Sequence, residues 1–141
     1  MTTEERMELG AKYKREMNCC QAVLKAMSDT VDMDEATLHR LAGGFGSGMG
    51  TMEGTCGALV GAIMVASLRA SGGSQSPATA TGEAMKLSRQ ILPRFRELCG
   101  ATICRELKGI GSTTPTRASS ICAALRTSSS AASQSAARRG T

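Results

Sequence analysis

The chain has no tryptophan, and Tyr13, Phe45 and Phe95 are its only aromatic residues. Sandwiches and barrels draw on aromatic and β-branched strands, so this scarcity speaks against both. Nine methionines and many alanines take their place, a mixture suited to close-packed helices. No two cysteines are spaced C-x-x-C, which excludes a zinc ribbon, a thioredoxin-type motif and covalent haem attachment. The single histidine, His39, lies between Leu38 and Leu41 in a short polar-faced segment. It reads as a surface or partly buried side chain rather than a ligand. The opening stretch "MTTEERMELGAKYKRE" is charged from its fourth residue and has no apolar region of the kind a secretory signal carries. The longest uncharged run in the body, between Glu53 and Arg69, is 15 residues, short of the roughly 20 that span a bilayer. The expectation is a cytoplasmic protein with no membrane insertion.

Acidic residues stop at Glu106. The formal net charge of +5 is therefore unevenly spread. Through Gly111 the chain has 13 basic and 12 acidic residues, and Arg117, Arg126, Arg138 and Arg139 supply the remainder. No basic face is interleaved with aromatics, so nucleic-acid binding is not expected.

What is present points to helices. A length of 141 residues fits one compact domain with a real core. Tyr13, Met17, Cys20, Leu24 and Met27 share one helical face, which predicts a first helix from Thr3 or Glu4 to Met27. "DMDEATLHRLAGG" predicts a short helix capped by Asp32 or Asp34 and ended by Gly43. Eight of the sixteen glycines then fall between Gly43 and Gly61. They fit neither a dinucleotide fingerprint nor a phosphate-binding loop, and they imply backbone freedom and close approach. A central helix should run from Cys56 to Arg69, with Gly57, Ala58, Gly61, Ala62 and Ala66 offering small surfaces to a neighbour. "ASGGSQSPATATG" reads as a loop. A helix from Gly82 to Cys99 follows, with Met85, Leu92, Phe95 and Leu98 or Cys99 inward, kinked or divided at Pro93 and stopped by Gly100. "ATICRELKG" predicts a last short helix, with Thr102 as a candidate cap. The fold expected is all-α: a compact bundle of about four to five helices with a Gly-rich loop before the central one.

Six cysteines is a high count. In a reducing compartment a set of this size points to metal or redox chemistry, whereas any single buried cysteine can simply fill core space. Cys19 and Cys20 are adjacent, about 100° apart on a helix, and a bond between them would strain the backbone. Cys56 falls at the start of the central helix, with Thr55 or Gly54 as candidate cap. There the free N–H groups and the helix dipole favour a negative charge on its sulfur. The glycines around it would expose and orient that sulfur, with room beside Gly57 for a partner thiol or an ion.

"NCCQAVLKAM", "GGFGSGMGTMEGTCGALVGA" and "GATICRELKG" together resemble the C-GCAxxG-C-C family of redox-active proteins over residues 4–109. The central element is Cys56, Gly57, Ala58 and Gly61. The resemblance implies an all-helical domain with four functional cysteines, often encoded near transporter genes. Cys19, Cys56 and Cys104 match the motif; Cys20 and Cys99 have no counterpart in it. Cys122 is the only candidate for the fourth, although nothing around it resembles the family's last helix. A relationship to split-Soret cytochromes keeps an iron–sulfur cluster in view, with zinc as the other metal to consider. Cys19, Cys56, Cys104 and Cys122 would be the ligands.

The leading expectation is thus a redox protein in which Cys19, Cys56 and Cys104 converge, by thiol–disulfide exchange or around a metal or iron–sulfur centre, serving an unidentified redox partner. The alternative is a non-catalytic helical scaffold or binding subunit with structural cysteines. A small-residue, methionine-rich body suggests a homodimer. Residues 1–111 form the helical domain. Residues 112–141, rich in Ser, Thr, Ala and Arg and free of acid, read as a tail that is either disordered or the product of a shifted reading frame.

Overall fold

The computed structural model describes residues 2–71 and 76–109. Among these residues the fold is all-helical: α1 (Thr3–Lys14), α2 (Cys19–Ala26), α3 (Glu35–Leu41), α4 (Gly57–Ser71), α5 (Pro77–Cys99) and α6 (Cys104–Gly109). One isolated antiparallel bridge joins Thr55 to Ile103. No described helix is long and apolar enough to cross a membrane. The tail, with Cys122, lies outside the described residues.

Six α-helices replace the four to five expected, because the first predicted helix is two. Asn18 takes an extended conformation (φ −72°, ψ 168°) and breaks the run. Its Oδ1 accepts the Gln21 N–H at 2.9 Å while the Gln21 Oε1 accepts the Asn18 N–H at 3.2 Å. This reciprocal box satisfies two N–H groups that a helix start leaves open, so a new helix begins at Cys19. Arg6 on α1 then locks the pair together. Its guanidinium donates to both Asp29 carboxylate oxygens, at 2.7 and 2.9 Å, and to the Ala26 carbonyl at 2.9 Å at the end of α2.

The cap of α3 is Asp34, whose Oδ2 accepts the Thr37 N–H at 2.9 Å. The α5 helix starts earlier than expected. Ser76 caps it and Pro77 occupies its first turn, a position where the missing proline N–H costs nothing. Pro93 does not divide it. The N–H it lacks would have bonded the Arg89 carbonyl, and both residues lie on the exposed side, where water can serve that carbonyl. The inward stripe of α5 is Ile91, Phe95 and Cys99; Met85 and Leu98 are 52% and 43% exposed, contrary to the expectation for Met85. Gly100, at φ 92°, ends α5 with its N–H on the Arg96 carbonyl at 2.8 Å.

The α4 helix is the centre of the body. It packs between α2 and α5, with Ala58, Leu59, Ala62, Val65 and Ala66 buried. Its start is where the cysteines gather.

Candidate functional site at the start of the central helix

The chain arrives at α4 in an extended conformation rather than a turn. Thr55 pairs with Ile103, the Cys56 N–H donates to the Thr102 carbonyl at 2.8 Å, and the Cys104 N–H donates to the Gly54 carbonyl at 3.0 Å. Two backbone bonds thus tie the Cys56 segment to the Cys104 segment. They also correct two expectations. The helix begins at Gly57, and the Cys56 carbonyl accepts the Val60 N–H at 3.1 Å, so Cys56 is itself the capping position rather than a first-turn residue. Thr102 serves Cys56 and does not cap α6.

The second approach comes from α2. A Cβ added at Gly57 would stand 3.2 Å from the Cys20 nitrogen, 3.3 Å from the Cys19 Cβ and 2.8 Å from the Phe45 carbonyl oxygen. One at Gly61 would stand 3.1 Å from the Cys20 carbonyl oxygen and 3.2 Å from the Val23 Cβ. The two glycines, four apart, lie on one face of α4 and let the first turn of α2 rest directly on it. The small surface was read correctly as a packing face. The room expected beside Gly57 is taken by α2 and by Phe45.

The third wall is the Gly-rich loop. Gly48 has φ 58°, and a Cβ there would stand 2.6 Å from the Cys104 Cβ and 2.9 Å from the Gly54 carbonyl oxygen. Only glycine fits both the backbone and the space. Asn18, beside Cys19, donates from Nδ2 to the Gly43 carbonyl at 3.1 Å, so the same loop is fastened at its other end to the start of α2.

All five described cysteines are buried, and no disulfide joins any two of them. Cys19, Cys20, Cys56 and Cys104 are 6%, 0%, 0% and 3% exposed. The glycines therefore enclose Cys56 rather than expose it. Cys20, without a family counterpart, belongs to this cluster. Its thiol is pushed up to about 12, first by burial and then by the negative charges of Cys19 and Cys56, so both lie within electrostatic reach. Its Sγ donates to the Met64 Sδ on α4 at 3.8 Å. Neither motif nor spacing marked Cys20, but its place opposite the Gly57–Gly61 stripe does. His39 is exposed, beside the Gln21 side chain. Among the described residues no three His, Cys, Asp or Glu side chains group closely enough to hold a metal ion.

The body is thus a helical one whose cysteine-bearing segments meet, through backbone bonds and close glycine contacts, around the start of α4. The family profile described as "Putative redox-active protein (C_GCAxxG_C_C)" matches residues 17–135. The chain belongs to that family. The match begins between α1 and α2, leaving α1 outside, and runs past the limit of 109 expected from the motifs, across Cys122. No curated protein and no solved structure matches the chain.

Proposed function

We propose that the protein is a thiol–disulfide redox protein in which Cys56 is the central thiol and Cys19 and Cys104 exchange with it. Membership of a redox-active family supports the class. The observation that carries the reading is the junction at residues 54–57. Gly54 accepts a backbone bond from Cys104, Cys56 gives one to Thr102, and Gly57 seats Cys19 and Cys20. In the step proposed, Cys56 and a neighbouring thiol form one S–S bond. Their two protons and two electrons pass to a partner disulfide, which leaves as two thiols. The test is thiol counting and peptide mapping of the full chain, reduced and then equilibrated with oxidised dithiothreitol. The expected result is reversible loss of two thiols, one of them Cys56, abolished in Cys56→Ser. No disulfide at Cys56 would end the reading.

An iron–sulfur or zinc centre would need three or four thiolates around one site. The described residues alone do not supply such a group, and Cys122 lies outside them, so no step is routed through a metal. Iron, sulfide and zinc analysis of the purified chain tests it independently. The burial of Cys19, Cys20, Cys56 and Cys104 favours a second reading, a helical scaffold with structural cysteines. Cysteines that resist alkylation until global unfolding, with no reversible disulfide, would establish it. A homodimer and a functional link to a transporter are further proposals. Light scattering tests the first, and co-purification with any transporter encoded beside its gene tests the second.

A further inference from the structure

We propose that residues 46–54 form a strained lid over Cys104 at the edge of the cysteine site, and that the left-handed backbone of this segment sets how often that thiol opens to solvent. The proposal rests on the thiol–disulfide reading for its purpose, since buried thiols cannot meet a partner, but not for its physics. Ser47, Gly48, Met49 and Gly50 follow one another at φ 51°, 58°, 62° and 75°, and Met52 returns to 65°. Three of these five carry a side chain, and each such residue is disfavoured in that conformation. Gly46 and Gly48 are buried against Asn18 and Cys104, while Ser47, Met49, Gly50, Thr51 and Glu53 face solvent.

The fastenings at the two ends are better than those between. At one end Asn18 holds the Gly43 carbonyl. At the other, Gly54 bonds Cys104 and Thr55 pairs with Ile103. Between them the closed form is held by local bonds: the Gly48 carbonyl accepts the Glu53 N–H, the Gly54 N–H at 3.1 Å and the Thr51 hydroxyl at 3.2 Å, and the Thr51 hydroxyl oxygen accepts the Glu53 N–H at 3.2 Å. One long-range contact is added, Lys108 Nζ to Met52 Sδ at 3.7 Å. Lifting the middle of the loop therefore releases backbone strain and breaks few bonds. It uncovers Cys104 first, because Gly48 lies on its Cβ.

The experiment is native alkylation of the reduced full chain with N-ethylmaleimide, followed per cysteine by mass spectrometry, alongside amide hydrogen exchange. Met49 is 38% exposed and its Cγ lies against Gly54, so two substitutions that both remove this contact differ chiefly in backbone preference. Asparagine tolerates the left-handed region and valine does not. Met49→Asn should slow labelling of Cys104 about threefold, and Met49→Val should speed it about tenfold. Cys20, sealed between α2 and α4, should label only at the global unfolding rate in every variant. Amides of residues 48–53 should exchange faster than those of α4. Equal Cys104 rates in the two variants, or Cys104 labelling only at the Cys20 rate, would overturn the lid. Opposite shifts with no reversible disulfide would leave the lid standing and remove the redox reading.

Discussion

The Cys20 thiol shows how a single residue can report on its surroundings. Burial, then the charges of Cys19 and Cys56, push it up to about 12 from an ordinary 9.0. Between those values the unfolded chain loses a proton that the folded chain keeps. The folded state binds more protons there, so stability is present below pH 9 and declines as pH rises toward 12. One group of this kind costs on the order of 1 kcal/mol between pH 8 and pH 10. Urea unfolding under reductant should therefore show the wild type losing that much relative to Cys20→Ala over the interval. Parallel pH profiles would mean that Cys20 is not held neutral. Gly48 makes a second prediction. Gly48→Ala places a methyl 2.6 Å from the Cys104 Cβ on a φ of 58°, and it should destabilise by about 2–4 kcal/mol through overpacking and backbone strain together. A smaller loss in a denaturant titration would show that the loop relaxes around the methyl. A motif marks Cys19, Cys56 and Cys104 in the sequence, and Cys20 lies outside that motif. What singles it out is the neighbour across the helix contact, a relation between residues 20, 57, 61 and 64 that no local pattern encodes.

Among the elements, α4 was the most legible, because its small residues recur at three and four and cannot be explained by propensity alone. Its partner was not nameable from sequence: a stripe of glycine and alanine states that something comes close, not which helix. The α1–α2 break was legible in principle, since Asn18 and Gln21 have the spacing of a reciprocal cap, but the apolar face running from Tyr13 to Met27 hid it. Pro93 misled for the opposite reason. A proline on the exposed side of a long packed helix loses one bond to water rather than one to the core. The glycines of the helices now separate into two kinds, and a pair of substitutions tests the distinction. A Cβ at Gly82 on α5 meets nothing within 4 Å, so Gly82→Ala should stabilise by about 0.5–1 kcal/mol. Gly57→Ala meets the Phe45 carbonyl and both α2 cysteines and should destabilise by about 1–3 kcal/mol. Thermal or urea melts of the two variants should move in opposite directions; a shared direction would mean that α2 does not rest on α4 as described.

For the whole molecule, the open question is how much of the chain the body needs. Every fully buried apolar residue of the described core lies between Cys19 and Leu107, and α1 packs Met7, Leu9 and Tyr13 against it while Arg6 fastens the helix to α2 and Asp29. The described core therefore closes around α4 with residues of α2, α3, α5 and α6. The family match nevertheless continues to residue 135, and Cys122 lies inside it. These two facts separate stability from chemistry. Deleting residues 112–141 should leave the melting temperature unchanged within error, because no part of the described core is removed. A fall of several degrees would show that the tail docks on the body and supplies packing. The same truncated chain, carried through the oxidation experiment, asks whether Cys122 takes part. If the disulfide at Cys56 forms at the wild-type rate, the working thiols are those of the body. If its formation slows while the melt is unchanged, the tail delivers Cys122 to the site. The shifted-frame origin is tested separately by translating the coding DNA in its other two frames. An open frame encoding an acidic amphipathic segment with a cysteine would establish the shift, and restoring that frame should then raise the melting temperature.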